Sequence, residues 1–173
     1  MAITRIFGLL CVVFACAAAQ AAEPAPPEYT TIRMETTVAR PAPEVWAKVG
    51  KYCDIAEWLK VDCKITSGDS GIGTVRTLRG GQVLEIMVAQ TQLSYGYTQP
   101  VTAGRFYNLY HGFLEARPVT ATTSKLIYTL VLDLSDKADK AAKDADIARR
   151  RTQFETALAN MKAIAEGTTP VVK

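Results

Sequence analysis

Histidine is nearly missing from this chain: His111 is the only one among 173 residues. Cysteine is scarce, with four, and two of these (Cys11 and Cys16) lie inside an apolar N-terminal run. A structural zinc site needs four nitrogen or sulfur ligands and a catalytic one three, and nothing here assembles them at short spacing. No metal and no other cofactor is therefore expected. There is no C-x-x-C, which removes a thioredoxin-type redox pair. Neither sign of charge dominates. A formal net charge of +3 is too balanced to point to nucleic acid or to an anionic membrane surface. The glycines of "GDSGIGTVR" precede a strand pattern rather than a helix, and no Lys-Ser/Thr pair follows, so they read as a hairpin turn and not as a phosphate loop.

What is present begins with an address. Arg5 stands before an apolar run from Ile6 to about Ala19, too short for a stable membrane span. Ala19-Gln20-Ala21 fits the small-residue rule for signal-peptidase cleavage, so residues 1–21 read as a leader and the mature chain as starting at Ala22. The alternatives are an uncleaved anchor, or a lipoprotein joined at Cys16. An exported, periplasmic location follows from the first reading, with secretion as its variant. Cys53 and Cys63 are then the remaining cysteines. An even count in an oxidising compartment predicts a Cys53–Cys63 disulfide closing a loop of about ten residues.

Residues 22–29 are rich in proline and alanine and read as a linker. A single domain is expected over 30–167, with 168–173 as a tail. "TTIRMETTVAR" alternates with period two, placing Ile32, Met34, Thr36 and Val38 on one face of a strand. "PAPEVWAKVG" reads as a short helix with Pro43 and Glu44 in its first turn and Gly50 at its end. "CDIAEWL" reads as a second, with Ile55, Trp58 and Leu59 turned inward. From Val61 the period returns to two, and up to six more strands follow, joined by hairpin-sized turns such as "RGGQ". "QVLEIMVAQ" is apolar on both faces near its centre, which is the feature that would suit an interaction surface. The C-terminal third becomes helical. Ser135 or Asp136 is the expected N-cap, Phe154, Leu158, Met161 and Ala165 form the apolar stripe, and Gly167 is the C-cap. A strand, two short helices, antiparallel strands and a long terminal helix make an α+β chain in which the helix covers one face of a bent sheet.

The stretch "VARPAPEVWAKVGKYCDIAEWL…VDCKITSGDSGIGTVRTL" resembles the opening of START-like, SRPBCC-superfamily proteins, the polyketide cyclase/dehydrase and lipid-transport group that shares the birch-pollen-allergen fold. The resemblance runs from about Thr30 to Gly167. It implies a helix-grip fold with a cavity between sheet and C-terminal helix. It leaves function open, because one fold hosts carriers, receptors and enzymes alike. It also implies that Arg76, at the "VRT" position, approaches the pocket.

Candidate site residues follow. Tyr95 and Tyr97 share a strand face, and with Tyr110 and Trp58 they supply the aromatic surface a small-molecule pocket uses. Arg76 is a candidate anchor for a ligand oxygen, with Arg79 and Glu85 nearby. His111, amid aromatics, is the candidate general acid or base. The expected function is an exported binding or carrier protein for a hydrophobic or aromatic small molecule or lipid, as a monomer or weak dimer. The alternatives are a cyclase/dehydratase-type enzyme using the same pocket and a ligand-free protein-interaction module.

Overall fold

The structure is a computed structural model that describes residues 26–100 and 109–170. The expected leader, with Cys11 and Cys16, lies outside the described residues, as do Phe106 and Tyr107. The chain forms β1 (Tyr29–Val38), α1 (Ala42–Val49), α2 (Ile55–Trp58), β2 (Cys63–Ser67), β3 (Val75–Leu78), β4 (Val83–Gln90), β5 (Ser94–Thr98), β6 (Tyr110–Pro118), β7 (Ser124–Asp133) and α3 (Lys140–Glu166). All seven strands lie in one antiparallel sheet of order β1-β7-β6-β5-β4-β3-β2.

Alternation decides which side chains enter the core. Ile32, Met34 and Val38 of β1, Thr74, Arg76 and Leu78 along β3, and Leu126, Tyr128, Leu130 and Leu132 of β7 are all buried. The β1 and β7 residues face α3, which returns Phe154, Ala157, Leu158, Met161 and Ala165. Full burial of a leucine-, methionine- or phenylalanine-sized side chain contributes roughly 1.5–3 kcal/mol. No helix among the described residues is long and apolar enough to cross a membrane.

The helix starts differ from expectation in one place. Asp139 caps α3, its Oδ1 accepting from the Ala142 N–H at 2.8 Å, rather than Ser135 or Asp136. The reason is a competing knot. Asp133 accepts hydrogen bonds from the Glu28 N–H, the Ser135 N–H and the Ser135 hydroxyl, which holds Ser135 in a turn at the end of β7. At the other end Gly167 takes a left-handed conformation (φ 76°), and its N–H and that of Thr168 close the last turn. Lys162 and Glu166 bind the Thr37 carbonyl and the Ala39 N–H, so the end of α3 is fixed to the exit of β1.

Gly50 is the C-cap of α1, and only glycine fits there because the Trp46 ring lies where a Cβ would be. The expected disulfide is present: Cys53, just before α2, joins Cys63 at the start of β2, with Cα atoms 5.6 Å apart. It holds the α1–α2 connection against the sheet edge.

Candidate functional site

The inner face of the sheet carries a charge pair at its centre. The hairpin "RGGQ" pairs Leu78 with Val83, which sets Arg76 directly opposite Glu85. Both face inward, at 0% and 3% exposure. Arg76 Nε donates to Glu85 Oε2 at 2.8 Å, and Nη2 lies 2.6 Å from the same oxygen without the alignment of a hydrogen bond. Arg76 Nη1 donates to the Tyr52 carbonyl, and Gln99 Nε2 donates to Glu85 Oε1 at 3.1 Å. Burial alone would lower the Arg76 pKa. The surrounding tyrosine oxygens and the Glu85 carboxylate outweigh it and raise the value, so the guanidinium stays charged.

Tyrosines enclose this pair. The Arg76 guanidinium lies 4.0 Å from the Tyr52 ring centre, 5.1 Å from Tyr97 and 5.7 Å from Tyr95, in cation–π range. The Tyr97 and Tyr128 hydroxyls meet at 2.8 Å. Gly112 makes that possible, because a Cβ there would overlap the Tyr97 ring. Burial, the largest cause, raises the pKa of Tyr52, Tyr95, Tyr97, Tyr110 and Tyr128, so all five keep their protons. For Tyr95 the Arg76 charge opposes that rise. The hydroxyls of Tyr52 and Tyr95 and the Trp58 indole N–H are buried without a hydrogen-bond partner. Such groups cost about 1–3 kcal/mol each when left unpaired; the two tyrosines line a cleft under α1, and Trp58 lines one between α2 and α3.

Three clefts open around the pair. The first, about 470 Å³, lies under α1 and the disulfide-bonded connection, with Trp46, Tyr52, Met87 and Tyr95 among its walls. A second, about 350 Å³, lies between the sheet and α3. Its floor is Ile55, Leu78, Tyr97, Tyr110 and Phe154, its polar point is Glu85 with Gln99, and Arg79, Arg149 and Arg150 stand along it. A third, about 420 Å³, continues between α2 and α3 past Trp58, Lys60, Arg149 and Asn160. Leu59, Arg149 and Gln153 are common to the last two. Volumes of this order suit small-molecule ligands. The Arg76–Glu85 pair and its tyrosines stand between the first cleft and the second.

Of the candidates read from sequence, Arg76, Tyr95, Tyr97 and Tyr110 converge on this centre, and Trp58 lines the third cleft. His111 does not. It occupies the opposite face of β6, where its ring stacks on Phe113 with centroids 6.3 Å apart. Adjacent residues of a strand point to opposite faces, so Tyr110 inside puts His111 outside, and no acid–base role in the cleft is open to it. Sequence reasoning missed Tyr52 and Gln99, which hold the two ends of the ion pair. Neither sits in a periodic pattern: Tyr52 lies in a helix–helix connection and Gln99 just past the end of β5. The Arg76–Glu85 partnership did carry a signal, because a four-residue "RGGQ" turn forces that register.

The bent antiparallel sheet, the short helices after β1 and the long C-terminal helix define a helix-grip protein of the SRPBCC/START-like superfamily. Residues 29–166 match the model of the family described as "Polyketide cyclase / dehydrase and lipid transport", and the chain belongs to it. Among solved structures it is similar to a protein from Nitrosospira multiformis (22% identity, TM-score 0.58, covering 76% of this chain and 96% of that one). It is also similar to Ara h 8.0201 (17%, TM-score 0.59, 82% and 100%). A third is the Zhui aromatase/cyclase from Streptomyces sp. R1128 (18%, TM-score 0.60, 80% and 94%). At these identities the likeness is one of fold. Comparison with curated proteins finds no match.

Proposed function

We propose that the chain is an exported binding or carrier protein for a hydrophobic or aromatic small molecule or lipid, held between the sheet and α3. The observation that carries this reading is the make-up of the sheet–helix cleft. Buried Tyr97, Tyr110 and Phe154 form an apolar floor, and one fixed polar point, Glu85 with Gln99, interrupts it. An apolar wall with a few placed polar groups recognises a mostly apolar ligand and orients it. The unpartnered Tyr52 and Tyr95 hydroxyls offer donors to an oxygen entering from the α1 side. The family's description includes lipid transport, which supports the same reading. The Cys53–Cys63 disulfide supports export, since such bonds persist in oxidising compartments. The cyclase-type alternative loses its acid–base group, because His111 lies on the outer face.

The test is titration with a neutral fluorescent probe such as N-phenyl-naphthylamine. Saturable binding is expected, and it should vanish in Val83→Trp, which fills the cleft from its half-buried wall. Absence of saturable binding, or a folded Val83→Trp that binds unchanged, would overturn the reading.

A further inference from the structure

We propose that the ligand of the α2–α3 clefts is an amphiphile with an anionic head, a carboxylate or a phosphate, seated on a cationic rim made by Lys60, Arg79 and Arg149. This deepens the carrier reading and rests on it. Three observations converge. First, exposed cations stand over an apolar floor: Arg79 and Arg149 line the second cleft and Lys60 and Arg149 the third, while Ile55, Leu78, Tyr97 and Phe154 below them are buried. Second, Lys60 and Arg79 both hold left-handed backbone, φ 57° and 54°. Only one other non-glycine residue among those described has positive φ, Ser70, which lines the first cleft. Lys60 is the residue just past the C-cap of α2 and Arg79 opens the RGGQ turn, positions where glycine is the usual choice, so both cations are carried there at a backbone cost. Third, neither Lys60 nor Arg79 makes an ion pair among the described residues.

The nearby acids do not cancel this rim. Asp146 binds both Arg149 and Arg150, so one negative charge is shared between two cations. Asp62 accepts from the Gly80 N–H beside Arg79 and offsets one more charge at most. Glu85 is already balanced by Arg76. Positive charge remains at the mouth of a cavity whose chain as a whole is nearly neutral. A purely apolar ligand would draw nothing from strained, unpaired cations. An anionic head with an apolar tail uses both the rim and the floor.

The experiment is displacement of the neutral probe from the full chain by four ligands of one chain length: dodecanol, dodecanoate, dodecyl phosphate and dodecyltrimethylammonium. Dodecanoate or dodecyl phosphate should bind about tenfold more tightly than dodecanol at low salt, and most of that advantage should be lost near 0.5 M salt, where exposed charges are screened at roughly 4 Å. The double variant Lys60→Asn with Arg79→Asn should remove the advantage, so that anion and alcohol bind alike. Asparagine tolerates positive φ, so the backbone is kept while the charge is lost. The better of the two anions distinguishes a fatty-acid-like from a phospholipid-like ligand. Equal binding of alcohol and anions, or a double variant that keeps the preference, would overturn the proposal and leave the carrier reading standing. If none of the four displaces the bound probe, the proposal falls as well, while the carrier reading is decided by the probe's own binding and its loss in Val83→Trp.

Discussion

Removing either half of the Arg76–Glu85 pair should unfold this protein far more readily than any surface change. The pair is fully inside the protein, with Arg76 at 0% exposure. Arg76→Met alone would leave Glu85 buried with only the Gln99 amide, and the Tyr52 carbonyl with no donor. Glu85→Leu alone would leave a buried guanidinium facing three tyrosine rings and one carbonyl. Stranding one buried charge costs about 3–5 kcal/mol. In urea that moves the midpoint by roughly 2 M with m unchanged, and in heat it lowers Tm by about 10 °C or more. The double variant Arg76→Met with Glu85→Leu should regain at least half of the loss. Its remaining defect is chiefly the Tyr52 carbonyl, since half-buried Gln99 can turn to water. The assay is equilibrium urea unfolding of wild type, both singles and the double, read as a double-mutant cycle. A single variant within about 1 kcal/mol of wild type would refute the reasoning, because it would mean the pair is hydrated rather than dry.

Other predictions are more local. Gly112→Ala should displace the Tyr97 ring and break its contact with the Tyr128 hydroxyl, costing about 1–3 kcal/mol in urea unfolding, whereas alanine at exposed Gly81 should spare the Tyr97–Tyr128 contact. Reduction of Cys53–Cys63, or replacement of both by serine, should cost about 2–3 kcal/mol for a loop of this length, and the native protein should be two hydrogens lighter than its reduced form by intact mass. Acid should destabilise the fold with a definite sign. Burial alone would raise Asp133, but hydrogen bonds from Ser135 and Glu28 outweigh it and lower the pKa; the Ala39 N–H, then Lys162, lower Glu166. Both folded values lie below the unfolded ones. Their stabilisation is therefore complete above about pH 4–5 and is lost as pH falls through the folded values, with Asp54, raised by burial, giving an opposite trend. Tm measured against pH in Asp133→Asn should show a shallower acid slope; an unchanged slope would contradict this assignment.

Much of the fold was legible in the residues because burial imposes period two on strands. Alternation puts Thr74, Arg76 and Leu78 on one face, and all three are buried. Gly50, Gly167 and the helix stripe were equally plain. The start of α3 was not, since Ser135 had two uses and the knot on Asp133 took it. The site was only half readable. Alternation says which residues share a face, not which face is concave. It did contain one answer that went unused: Tyr110 and His111 are neighbours on a strand, so both could not line one cleft. Contacts made by connections, such as the Tyr52 carbonyl on Arg76, depend on how α1 and α2 settle on the sheet, and no local pattern encodes that. No sequence pattern singles out Lys60, and the left-handed backbone it shares with Arg79 is visible only in the structure.

The most direct test of the proposed carrier function is native mass spectrometry of the protein expressed from the full sequence and purified under non-denaturing conditions. The predicted spectrum holds the protein and a second population carrying a discrete, solvent-extractable small-molecule or lipid mass, which is absent from Val83→Trp. A single ligand-free mass that stays unchanged after incubation with a total lipid extract would contradict it.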